Sequence, residues 1–292
     1  MALPSSAIPQ VFDRALIARH FARRPSPADD FVTRLALDDL AARLITITRP
    51  FAKALILVPD ASVLPMQPML GRSAEGLFTF ANAATVVGSE DAPLVDPEAL
   101  SLPGEGYDLI VSLFDLQVVN DVPGFLARIR SHLVPDGLFM AAALGGDSLT
   151  ELRQAFLVAD SEISGGAFAR VAPFIPLSDA GGLLQRAGFA LPVTDVETHL
   201  VRYADPFRLM QELKSLGAQN PLADRPTRLA TRSLLARAAA AYAETAADPD
   251  GRVRATLQII WISGWAPHDN QQKPARRGSA TVSLRDVLGK KT

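Results

Sequence analysis

Two short runs limit what this chain can fold into: Lys53-Ala-Leu-Ile-Leu-Val58 and Leu138-Phe-Met-Ala-Ala-Ala-Leu144. Each is apolar without alternation, so both of its faces need cover. A strand covered on both faces belongs inside a parallel sheet flanked by helices. YDLIVSLFDL (107–116) repeats the pattern after a polar start, and VRATLQIIWISGW (253–265) supplies a last strand. Between them lie stretches of helical period. Residues 30–48 follow a cap at Asp29 or Asp30 and stop at Pro50. Residues 120–133 start on Asn or Asp and end at a VPDG turn (134–137). Residues 145–163 open with a Ser148-x-x-Glu151 capping box. Residues 178–203 read as helix, Gly turn and strand, and 205–247 as mostly helix. Residues 59–75 are expected as loop or broken helix, and 76–88 as one or two short strands. Strands alternating with helices predict a doubly wound α/β sheet, with ligands beyond the C-terminal strand ends. Those ends are Leu57–Ala61, Gly88–Asp91 and Leu113–Gln117.

Composition removes several function classes. With 29 Lys plus Arg against 31 Asp plus Glu, no global field recruits nucleic acid or an anionic membrane. The absence of Cys excludes disulfides, thiolate metal sites and a Cys nucleophile, and fits a reducing compartment. His20, His132, His199 and His268 show no metal-ligand spacing, so no metal site is expected. No apolar run reaches the roughly 18–20 residues of a membrane span, so no integral membrane segment is expected. VFDRALIARHFARR (11–24) is expected as a first helix packed on the domain with a solvated Arg face; a transit peptide or membrane-surface helix is the alternative.

Three motifs carry a resemblance. YDLIVSLFDLQVVND, LVPDGLFMAA and LLQRAGF resemble the fourth strand, the turn into the fifth strand, and the helix before the sixth strand of class I S-adenosylmethionine-dependent methyltransferases. LGGDSLTELRQAF (144–156), PFRLMQELKSLGAQNPL (206–222) and GWAPHDNQQKPARRGSA (264–280) resemble one branch: the malonyl-carrier-protein methyltransferases and the related assembly factors of respiratory complex I. FDRALIARHFARR matches the assembly-factor side better. The resemblance implies a Rossmann-like class I methyltransferase fold: a seven-stranded, mostly parallel sheet with helices on both faces and a helical lid before the last strand. It divides the chain into N-terminal helices (1–52), an α/β core (53–204 and 251–266), a lid (205–250) and a polar basic tail (267–292). It also implies S-adenosyl-L-methionine as cofactor, a protein or acyl-carrier-type acceptor, or a respiratory-chain subunit as partner. The compartment would be cytoplasm, or mitochondrial matrix in a eukaryote. Some assembly factors of this branch are linked to arginine hydroxylation, so the fold need not mean methyl transfer.

The cofactor loop departs from that family. Class I enzymes follow the first strand with roughly Asp-x-Gly-x-Gly-x-Gly, whose glycines let backbone approach the ligand. Here Ile56, Val58, Pro59, Asp60, Ala61 and Ser62 stand there, and no glycine precedes Gly71. Pro59 also removes an N–H donor. By resemblance the cofactor-binding candidates are Val58, Asp60, Ser89, Glu90, Phe114 and Leu116. Asp60 would meet the cofactor ammonium, unless it is a solvated loop residue. Ser89 with Glu90 or Asp91 would meet the adenine, unless VVGSEDAP is a polar surface turn. Phe114 and Leu116 would be walls. Glu75 is the one carboxylate between Asp60 and Val87 that could grip the ribose. The segment before Val87 is about ten residues short of the family pattern.

Gln117-Val118 replace a frequent His-Trp, and Asn120 is read as a helix cap rather than a catalytic group. No catalytic base is identified. Gly145-Gly146 is a helix-entry turn or a weak phosphate cradle. Trp261 and Trp265 are expected as strand core and edge. His268, Gln271, Gln272, Lys273, Arg276 and Arg277 form a solvated tail or a partner-binding arm. Val58, Pro59 and Leu64 are expected to fill the cleft. Two readings stay open: an S-adenosylmethionine-dependent enzyme, or a pseudoenzyme kept as a binding or assembly factor.

Overall fold

The computed structural model describes residues 9–25, 30–65 and 68–272. Seven strands form one sheet: β1 (Ala54–Asp60), β2 (Leu70–Ser73), β3 (Gly76–Val87), β4 (Tyr107–Leu113), β5 (Leu133–Leu144), β6 (Ala190–Tyr203) and β7 (Val253–Trp265). Their spatial order is β2-β3-β1-β4-β5-β7-β6. Strands β3, β1, β4 and β5 run parallel; β7 lies antiparallel between β5 and β6, and β2 is antiparallel to β3.

The unalternating runs are buried on both sides, as their pattern requires. On one face Leu55, Leu57, Ile110 and Phe139 meet Phe125 and Ile129 of α3 (Val122–His132) and Leu184 of α5 (Leu177–Arg186). On the other, Ile56, Val58, Val111 and Met140 meet Ala36, Leu40 and Leu44 of α2 (Phe31–Leu44). Asp30 caps α2, accepting from the Thr33 amide at 2.9 Å. That helix stops at Leu44, short of Pro50. Trp261 is buried, its ring under the Arg43 guanidinium, and Trp265 is half-buried.

The region after β1 differs from expectation. A three-residue 3-10 turn, Ala61–Val63, follows the strand, and the chain then crosses to the sheet margin. It runs down as β2 and returns as β3, a single strand of 12 residues. Parallel neighbours usually need a helical crossover. Here an antiparallel hairpin makes the return, so no α-helix follows β1.

Three local expectations are corrected. VPDG is not a free turn: it lies inside β5, with Asp136 at φ 64° and a register shift against β4. A Cβ on Gly137 would sit 2.9 Å from the Tyr107 and Val134 carbonyl oxygens, which explains the glycine. Ser148 and Glu151 form no capping box, because α4 (Thr150–Ile163) starts from Leu149 at φ 56° without a side-chain cap. Ser148 Oγ instead donates to the Gln258 carbonyl and accepts from its amide, both at 3.0 Å, and Glu151 accepts from the Thr256 amide. The pair ties α4 to β7. Asp121, not Asn120, caps α3.

Helices α6 (Pro206–Ser215) and α7 (Arg232–Ala246) occupy the stretch between β6 and β7, where the lid was expected. Strand order and helix placement are those of the class I methyltransferase fold, with its first crossover rebuilt. Among the described residues no helix is long and apolar enough to cross a membrane.

Candidate ligand cavity

Beyond the C-terminal strand ends lies a cavity of about 720 Å³. Its floor includes Pro59, Asp60, Val86, Phe114 and Leu144 from strand ends, and its roof Leu209, Met210 and Leu213 from α6. Leu149 just before α4, with Leu152 and Phe156 on it, closes one side. Ile17, His20, Phe21 and Arg24, on or just after α1 (Arg14–Ala22), close another. Phe114 and Leu149 hold left-handed backbone, at φ 63° and 56°, so two bulky side chains border the space at a conformational cost.

The N-terminal segment is locked over this end. Phe12 pairs with Leu222 as an antiparallel bridge, and the Asp13 amide donates to the Pro221 carbonyl at 2.9 Å. Asn120 Oδ1 accepts from the Phe12 amide at 2.8 Å, which is the role of that side chain. Arg14 Nη2 donates to the Thr85 carbonyl at 2.8 Å. Arg24 donates to Asp60 Oδ2, the two side chains being 4% and 7% exposed. Arg14 at the start of α1 and Arg24 just after its end thus turn onto the sheet, while Arg19 and Arg23 are exposed. The helix packs on the domain as expected, with Arg19 and Arg23 on the solvated face, but Arg14 and Arg24 do not belong to that face.

Asp60 is fully engaged. Its Oδ1 accepts from the Ser62 amide at 2.8 Å and from Ser62 Oγ at 2.5 Å, while Arg24 takes Oδ2. One strand further, Asp115 is 1% exposed and accepts from Thr85 Oγ1 at 2.5 Å and Ser112 Oγ at 2.8 Å. Burial pushes its carboxyl up to about 6, against the pull of those two hydrogen bonds and Arg14. Burial also lowers the Arg14 guanidinium. His20 is held below its usual range by burial, then by Arg225, Arg19 and Arg23. Its Nδ1 is buried with no hydrogen-bond partner among the described residues. Tyr203 is raised by burial and then by Glu212 beside it.

Of the six candidate cofactor residues, Asp60 and Phe114 border the cavity. Val58 is 0% exposed inside the sheet core, and Leu116 is buried in the cluster on the α3 face. Ser89 and Glu90 sit in an exposed turn closed by the Ser89–Ala92 bridge, away from the cavity. Glu75 lies at the β2–β3 turn, at the opposite end of β3 from the cavity. The expected plug is corrected too. Val58 and Leu64 belong to the sheet core, Pro59 borders open space, and Arg24 just after α1 meets the end of β1. Gln117 and Val118 line the cavity as well; Gln117 Oε1 accepts from the Leu144 amide at 3.0 Å. Sequence patterns missed Arg14, Arg24, His20 and Asp115, because nothing local marks an ion pair spanning 36 residues. Among the described residues no His, Asp and Glu cluster could hold a metal ion. Of the tail cluster, Lys273, Arg276 and Arg277 lie outside the described residues; Gln271 Nε2 donates to Asp136 Oδ1 at 2.7 Å.

A class I cofactor needs an acceptor for its ammonium, close backbone after β1 and a carboxylate for its ribose. Here the acceptor is neutralised by Arg24, the turn carries side chains instead of glycines, and no carboxylate ends β3. These residues do not fit S-adenosylmethionine in its family position.

No family model matches the chain. It is 37% identical to the arginine-hydroxylase NDUFAF5, mitochondrial, of Homo sapiens, covering 96% of this chain and 84% of that protein. Against the rat protein of the same name the identity is 43% over 194 residues, and the chain spans just over half of that relative (56%). A malonyl-[acyl-carrier protein] O-methyltransferase of Halorhodospira halophila is 34% identical over 66% of this chain and 63% of that protein.

Proposed function

Because the chain belongs to the NDUFAF5 family of methyltransferase-fold proteins, we propose that it is a member that has given up S-adenosylmethionine and works as a binding or assembly factor, holding its ligand in the lid cavity. The observation that carries this reading is the buried Arg24–Asp60 pair. A carboxylate that would greet a cofactor ammonium already holds a guanidinium. Displacing it would strand a buried charge, at a cost of about 3–5 kcal/mol. The hairpin between β1 and β3 supports the same reading, because no helix N-terminus follows β1 at the ligand end.

The relatives' names suggest the partner class: a protein of the respiratory-chain assembly route or a carrier-linked acceptor, in the mitochondrial matrix or its bacterial counterpart. Scaffold and lid are kept, and these shape a surface for a macromolecular partner. The reading assigns no catalytic residue, and it leaves Val58, Ser89, Glu90 and Leu116 as structural positions.

Calorimetric titration with S-adenosylmethionine and S-adenosylhomocysteine tests it, on the unmodified chain and on a Pro59→Gly, Ala61→Gly variant. The expected result for the unmodified chain is no binding at micromolar ligand. Saturable micromolar binding would return the protein to the cofactor-dependent enzymes and sink the reading.

A further inference from the structure

The cavity remains large although Arg24 already occupies Asp60 at its β1 end. Its size is that of small-molecule sites, roughly 300–1,000 Å³, and its lining combines apolar walls with charged groups. Phe114, Leu149, Leu152, Phe156, Leu209 and Met210 give it walls suited to a hydrocarbon chain.

Charge decides what the other end of such a ligand carries. Three carboxylates line the space, and each is engaged: Asp60 by Arg24, Asp30 as the α2 cap, and Glu212 by the Tyr203 hydroxyl. The cations are not balanced in the same way. Arg24, Arg170 and Arg225 pair with Asp60, Asp160 and Asp13. Lys214 and Arg228 also line the cavity, are exposed, and have no side-chain partner among the described residues. His20 adds an unpartnered Nδ1 on a side chain 9% exposed. Kept neutral by burial and neighbouring arginines, it offers one hydrogen bond without a charge of its own.

We propose that the cavity binds a single-chain amphiphile with an anionic head, of the fatty-acid class. The chain lies among the apolar walls and the head is held by Lys214 and Arg228. This rests on the reading that the cavity is not a nucleoside-cofactor site.

The test is fluorescence titration of the full chain with dansylated undecanoate, followed by displacement. Saturable binding is expected, reversed by dodecanoate and not by dodecyltrimethylammonium. Lys214→Glu with Arg228→Glu, both at exposed positions, should weaken the probe about tenfold. Val118→Trp, which fills the cavity from a half-buried position, should abolish binding, with circular dichroism and melting confirming the fold. If Val118→Trp unfolds, the charge-reversed variant decides alone. No saturable binding, equal displacement by the cationic amphiphile, or unchanged affinity in the charge-reversed variant would overturn the proposal. Phosphatidylglycerol vesicles distinguish the source: co-sedimentation abolished by dodecanoate points to a membrane lipid, and its absence points to the free acid. Displacement of the probe by S-adenosylmethionine would overturn the cofactor-free reading instead, leaving acyl binding in place.

Discussion

The two sides of the sheet about β1 were built by different rules. On the β4-β5-β7-β6 side, β4 reaches β5 through α3, a helical crossover packed on the core. On the β2-β3 side, β1 reaches β3 through a short 3-10 turn and an antiparallel strand. Both sides complete the same hydrogen-bonded sheet. Only the first keeps the connection that a doubly wound fold uses to frame a ligand at the strand ends. Shape and ligand capacity are therefore separable: the sheet depends on buried strand faces, and the site depends on one loop and what lies over it.

The largest expected effect falls on the scaffold side. Phe139 is 0% exposed and stacks on Phe189 at 5.5 Å between centroids. Phe139→Ala should cost about 3–5 kcal/mol in urea unfolding. A loss under about 1 kcal/mol would mean that this half is not the rigid one.

Next comes the rebuilt side. Arg24→Ala leaves Asp60 buried with Ser62 as its remaining partner, at a cost of about 3 kcal/mol. Adding Asp60→Asn should recover most of it. No recovery in the double variant would show that Arg24 acts by packing on Phe21 rather than by charge.

Asp115 sharpens the comparison through pH. Its folded value of about 6 lies above its ordinary 3.8. Between those values the folded state holds a proton that the unfolded state has released. Stability contributed by this group is thus complete below about pH 4, falls as pH rises towards 6, and is level above it. Asp115→Asn should remove that fall and leave a gain of up to about 3 kcal/mol at pH 7 over the wild-type profile. A variant profile parallel to wild type would show that Asp115 does not carry it. His20 has the opposite sign, because its folded value is lowered. Its contribution is complete above about pH 6.5 and is lost as pH falls, so His20→Gln should lessen acid sensitivity there.

The smallest effect concerns the tie between α4 and β7. Ser148→Ala removes both hydrogen bonds to Gln258 and should cost about 1–2 kcal/mol. Proteolysis near the lid, faster in this variant, would link the tie to cavity closure.

Much of the scaffold was legible before any coordinates. ALILV (54–58) and LFMAAA (138–143) became buried strand segments, and the alternation of strands and helices gave the sheet its class. Of the six cofactor candidates read from the sequence, Asp60 and Phe114 border the cavity, beside Pro59, Gln117 and Val118 from the same strand-end loops. Ser148 and Glu151 have the spacing of a capping box, yet bond across to β7. Asn120 looks like a cap and instead clasps Phe12, 108 residues away.

What the chain determined by itself was local: which runs must be covered, where strands and most helices lie, and that the glycine loop is gone. Those follow from side-chain burial and backbone preference, which act within a few residues of sequence. Only the tertiary structure decided that β2 and β3 replace a helical crossover, that α1 lies over the strand ends, and that Arg24 neutralises Asp60. The last two depend on groups far apart in sequence, and the first on where the hairpin docks beside β1; these meetings are set by the packing of the whole and leave no periodic mark on the chain.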